Sequence, residues 1–123
     1  MRRTALVIAI CFSTAAAASP GRAAEAPYDS GLLRLAEILG SLHFLRNLCG
    51  ETGSTWRDRM EALVTTENPE PERRAQLVAN FNRGYRSFSS TYSACTPSAA
   101  EAITRYMTEG EKLTSELAGR YGN

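Results

Sequence analysis

Few side chains in this 123-residue sequence are of a type and spacing that could do chemistry. Asn80, Arg83 and Ser87 follow one another at three- and four-residue steps, which puts them on one strip of a helix. Amide and guanidinium groups in such a strip bind a carboxylate or a partner's backbone. The simpler reading is an ion-pair and capping network at the edge of a core, with Glu101 or Glu109 as partners. His43 is the single histidine, so any histidine-assisted mechanism would rest on it alone. A structural histidine, hydrogen-bonded at a helix edge, is again the simpler reading. No serine or cysteine nucleophile motif is visible, and no catalytic residue is assigned. The enzymatic form open to such a chain is a nucleophile-free reaction stabilised electrostatically by arginine.

Metal and cofactor chemistry finds little to stand on. A di-iron bundle needs Glu-x-x-His pairs, which do not occur. Haem attachment needs C-x-x-C-H, also missing, and non-covalent haem would require His43 to meet Met60 or Met107 across a bundle. No metal and no cofactor is expected. Clustered positive charge, the mark of nucleic-acid or anionic-membrane binding, is missing as well; only Lys112 among the 14 Lys and Arg residues is lysine.

The elements that position these residues begin after an export signal. Arg2 and Arg3 precede an apolar run from Thr4 to about Ala18, and Ser19-Pro20-Gly21-Arg22-Ala23-Ala24 supplies small residues for cleavage. The run is short for a membrane span, which takes roughly 20 apolar residues. Cleavage after Ala23 is expected, with Ala18 the alternative, leaving residues 24–123 as a single helical domain with no membrane anchor. Cys11 is discarded with the signal, because Ile10 stands where a lipoprotein signal needs a small residue. Loss of Arg2, Arg3 and Arg22 turns the remaining chain slightly acidic. Cys49 and Cys95 are then an even pair in an oxidising compartment, and a disulfide between them is the expected outcome.

Hydrophobic spacing predicts four helices. Asp29 or Ser30 caps the first, after an extended lead-in at Ala26-Pro27-Tyr28; Leu35, Ile38, Leu39, Leu42, Leu45 and Cys49 form its inner face, and it ends near Gly50 or Gly53. Ser54 or Thr55 caps a short second helix from Trp56 to about Glu67. Asn68-Pro69-Glu70-Pro71 interrupts the chain, and a third helix runs from Pro71 to about Ala94 along Leu77, Phe81, Gly84, Tyr85, Phe88, Tyr92 and Cys95. Thr96 and Pro97 start a fourth, with Ile103, Tyr106, Met107, Gly110, Leu113 and Leu117 inward, to about Gly119, after which the end frays. The expected fold is therefore an all-α, up-down-up-down four-helix bundle with a short second helix and one disulfide. That order brings Cys49 and Cys95 to the same pole. Gly84 and Gly110 lie at similar depth from the turn at Thr96, which predicts a close crossing of helices three and four. Leu33, Phe44 and Leu48 form a second apolar strip on the first helix, buried under neighbouring helices or open to a partner.

The segments LLRLAEILGSLHFLRNLCG, TWRDRM and PERRAQLVANFNRGYRSFSSTYSACTPSA, which include both cysteines, His43, Trp56 and the Phe81–Tyr85 run, resemble a family of small exported alphaproteobacterial proteins known only as a domain of unknown function. The resemblance spans nearly all of the chain after the signal. It implies export to the periplasm and carries no reaction or ligand. The expected function is that of a soluble periplasmic protein binding an envelope protein or a cell-wall-associated assembly. The alternative is a small-molecule, carboxylate-type binder or enzyme built on Asn80, Arg83, Ser87 and His43.

Overall fold

Leu32, Ala36, Ile38, Leu39, Leu42 and Leu45 recur along the first helix, and every one of them is buried. A helix with so broad an apolar face must be covered from several directions, and this one becomes the central element. The computed structural model describes residues 21–121: α1 (Gly21–Leu48), α2 (Thr55–Glu67), α3 (Pro71–Ser89) and α4 (Pro97–Tyr121). The proposed signal up to Pro20, Cys11 within it, and the last two residues lie outside them. Among the described residues there is no strand, and no helix is long and apolar enough to cross a membrane.

α2, α3 and α4 each pack on α1, in the up-down-up-down order. α2 touches α3 only sparingly, and no α-carbon of α2 comes within 8 Å of one in α4. No α-carbon of α3 comes within 8 Å of one in α4, which corrects the expected crossing of those helices. Gly84 instead meets α1, where an added Cβ would overlap the Glu37 carbonyl, and Gly40 of α1 meets the Phe81 carbonyl in the same way. Ser41, 1% exposed, donates its hydroxyl hydrogen to the Glu37 carbonyl oxygen at 2.9 Å and so seals this crossing. Gly110 faces only the Ile38 side chain. The separation of α3 and α4 has a physical reason: the rings of Phe88 and Tyr106 fill the space between them, edge to face at 5.3 Å.

Helix ends depart from expectation in four places. α1 starts at Gly21, not at Asp29 or Ser30, and Ala26-Pro27-Tyr28 is helical instead of extended. Ala23, Ala24, Glu25 and Ala26 are strong helix formers and carry the helix back through Pro27; Asp29 pairs with Arg73 of α3. Ser54 occupies the cap position of α2, yet its hydroxyl bonds the Asp58 carboxylate in place of a backbone amide. α3 stops at Ser89, about a turn short of Ala94, because Ser89, Ser90 and Thr91 turn their hydroxyls back onto the carbonyls of Arg86 and Ser87 and compete with the helix ladder. Cys95 therefore sits in the connection before α4 and not on the α3 stripe. α4 remains helical to Tyr121, past the expected end at Gly119.

Other ends follow their sequence signals. Gly50, at φ 106°, closes α1 with Glu51 N–H bonded to the Arg46 carbonyl at 2.9 Å and its own N–H to Asn47 at 3.3 Å, the paired pattern that a left-handed glycine permits. Thr96 caps α4 by accepting the Ala99 N–H at 3.1 Å. Cys49 and Cys95 are joined, with α-carbons 4.9 Å apart, and tie the end of α1 to the start of α4.

Candidate functional site

The strip on α3 is brought together, but largely with itself and its neighbours. Arg83 donates to Glu37 of α1 at 3.2 Å and to the Asn80 side-chain oxygen at 3.3 Å. Asn80 donates to the Gln76 carbonyl, and Ser87 to the Arg83 carbonyl, each at 2.8 Å. Glu37 also receives Arg34, which makes a two-pronged pair with Glu109 of α4 at 2.7 and 3.2 Å and lies over the Tyr106 ring. That pairing and its hydrogen bonds raise the Arg34 pKa further above its already high value. The result is a chain of alternating charges, Arg83, Glu37, Arg34 and Glu109, with the neutral Asn80 amide at one end, linking α3, α1 and α4. Glu37 is Arg83's partner where Glu101 or Glu109 was expected. An arginine whose fork already meets a carboxylate has less to offer another one.

His43 lies on the opposite flank of α3, apart from Asn80, Arg83 and Ser87. It borders a groove of about 500 Å³ between α2 and α3, with Phe81 and Tyr85 on one side and Met60 and Arg57 on the other. Its ring sits 6.0 Å from Phe81 and 5.7 Å from Tyr85, and Nδ1 lies 3.4 Å from the Asn47 amide. Burial pushes its pKa below the ordinary 6.5; the Arg57 guanidinium acts the same way and Asp58 opposes both. At neutral pH the ring is therefore uncharged and offers a weakly polar, flat floor. Met60 shares this groove while Met107 lines a different one.

Among the described residues, Val78 and Tyr85 are the large hydrophobic ones left exposed, at 43% and 38%. Both line this groove. Val78, Phe81, Asn82 and Tyr85 follow the i, i+3, i+4, i+7 pattern of one helix face, and Arg57, Met60 and Glu61 repeat it on α2. Two such stripes on diverging helices make a trough with an apolar bed and polar rims. Sequence spacing contained this signal in Val78, which falls outside the main core stripe, but without the splay of α2 it reads as an isolated surface valine.

The second strip of α1 is mostly covered. Leu33 packs on the cluster around Ile38 and Leu42, and Phe44 and Leu48 pack with Phe88, Tyr92 and Cys49 on the cluster around Leu45. All three are half-buried. Phe44 meets the edge of Tyr85 at 5.4 Å, so it supports the groove from behind. Among the described residues no group of three or more His, Cys, Asp or Glu side chains is placed to hold a metal ion.

A family model described as a protein of unknown function (DUF2385) matches residues 27–121. The chain belongs to that family. The match takes in all of α2, α3 and α4 and most of α1, hence both grooved flanks and both cysteines of the disulfide. No curated protein and no solved structure matches the chain. What this DUF2385 chain presents to a partner is the trough between α2 and α3.

Proposed function

We propose that the protein is exported, loses residues 1–23 and acts in the periplasm by binding an envelope protein, whose amphipathic helix lies in the groove between α2 and α3. The observation that carries this reading is the coincidence of Val78 and Tyr85, the exposed large hydrophobics among the described residues, on one trough. A helix laid there buries them together with half-buried Phe81, over the already buried Met60, at anchor spacings that match its own. Each anchor buried adds on the order of 1.5–3 kcal/mol before the costs of association. Arg57 and Glu61 on the rim steer the partner more than they hold it.

Export is supported by the basic pair Arg2 and Arg3, the apolar run behind it and the small residues near Ala23. The disulfide suits the same compartment. A cut after Ala23 falls in the first turn of α1 and leaves the helix from Ala24 onward. The α3 strip supports a carboxylate binder less well, because Arg83 already engages Glu37.

The test is gentle crosslinking in an envelope extract, comparing wild type with Val78→Glu and Tyr85→Glu. Capture of a defined envelope protein by wild type, lost in both variants while their melting temperatures stay close to wild type, supports the reading. A monodisperse monomer that captures nothing contradicts it.

A further inference from the structure

On the other flank of α2 lies a second groove, independent of the helix-binding reading. Because no α-carbon of α2 comes within 8 Å of one in α4, a slot of about 410 Å³ opens between them over Ile38, Leu39 and Leu42 of α1. Leu35, Thr114 and Ala118 also border a further 210 Å³ that continues it toward the far end of α2. The floor is almost closed: Ile38, Leu39 and Leu42 are 1%, 8% and 2% exposed although they line the opening. A slot of this volume with a leucine and isoleucine floor holds a single alkyl chain. From Trp56 to Glu67 the slot follows eleven helical steps, about 16 Å, which corresponds to an extended chain of roughly a dozen carbons.

One end of the slot is polar in a specific way. Trp56 is 6% exposed, and its Nε1 is buried with no hydrogen-bond partner among the described residues. Leaving such a donor unpaired is unfavourable. The guanidinium of Arg59 lies over the same indole, 4.7 Å from the ring, makes no ion pair among the described residues, and also lines the slot. A free cation stacked on an indole whose N–H is unpaired suits a carboxylate once the indole turns. We propose that the slot binds a free long-chain carboxylic acid, its alkyl chain along Leu42, Leu39 and Leu35 and its head at Arg59 and Trp56, the indole turning to donate as the ligand enters. Glu111 on the α4 wall opposes the anion and sets the sign of one arm of the test.

Trp56 is the only tryptophan, so its fluorescence reports directly. The purified, delipidated protein is titrated with C8 to C16 saturated fatty acids below their micelle concentrations, with tetradecanol and tetradecanoate methyl ester beside tetradecanoate. Saturable binding at one site is expected, tightening roughly fourfold per added methylene until the slot is filled. Arg59→Gln weakens tetradecanoate at least tenfold, Glu111→Gln tightens it, and Thr114→Phe, a surface change that fills the slot, abolishes it. Trp56→Phe, followed by calorimetry below its own melting temperature, which the lost core volume lowers, weakens binding of the acid more than that of the alcohol. Absence of saturable binding at every chain length overturns the proposal. So does equal affinity for the acid, alcohol and ester, or unchanged affinity in Arg59→Gln and Thr114→Phe.

Discussion

Gly84 of α3 lies against the Glu37 carbonyl of α1 with no room for a methyl group between them. Gly40 repeats the relationship in the other direction, on the Phe81 carbonyl. The obstacle in both cases is backbone, which cannot swing aside as a side chain does. Gly84→Ala and Gly40→Ala are therefore expected to destabilise by about 1–3 kcal/mol each, even after the roughly 1 kcal/mol that alanine returns in helix propensity. Gly110→Ala, which meets only the Ile38 methyl at 3.3 Å, is expected to be neutral or stabilising. Urea denaturation of the three variants checks the ordering.

The disulfide closes a separation of 46 residues. On the chain-entropy model, removing it costs about 4 kcal/mol. For a domain of this size, that lowers the melting temperature by roughly 15–30 °C. The double variant Cys49→Ala, Cys95→Ala is expected to show this loss, and non-reducing peptide mapping of the native protein is expected to find the crosslinked pair. Two free thiols in protein taken from the periplasm would contradict the pairing.

His43 makes stability depend on pH. Its folded pKa is depressed below 6.5, so as pH falls below about 6.5 the unfolded chain takes up a proton that the folded chain resists. The unfolded state then binds more protons, and stability falls with falling pH. Between pH 7.5 and 5.5 the melting temperature is expected to drop for wild type and to drop less for His43→Gln. Equal slopes for both would assign the dependence elsewhere.

The Arg83–Glu37 contact is mostly solvated on the arginine side, which is 66% exposed, and solvated pairs contribute little. Arg83→Ala is expected to shift the melting temperature by a few degrees at most. Titration with acetate or succinate, followed by NMR, is expected to give no saturable shifts at Arg83. Saturation there would restore the carboxylate-binding reading of the α3 strip.

Periodicity made the helices legible, since Leu39, Leu42 and Leu45 on α1 and Leu77 on α3 repeat at helical steps and all are buried. The even cysteine count and the alternating helix order converged on the Cys49–Cys95 tie. Gly40 was not legible as a crossing point, because a glycine within a helix gives no sign of which neighbour it admits. Pairing Gly84 with Gly110 assumed that helices adjacent in sequence pack most closely, whereas the breadth of the apolar face of α1 draws every other helix onto it. The grooves were hidden for the same reason. They arise where α2, docked on α1 through Trp56, Met60 and Leu63, leaves space beside α3 and α4, and the periodicity of a single helix does not show that space.

Site-specific photocrosslinking from position 85 probes the groove between α2 and α3 itself. With a photoreactive residue replacing Tyr85, the expected result is a discrete adduct with one envelope protein, abolished by Val78→Glu and not formed from a control position such as Arg105. No adduct from position 85, or equal labelling from both positions, would contradict the groove between α2 and α3 as the working surface.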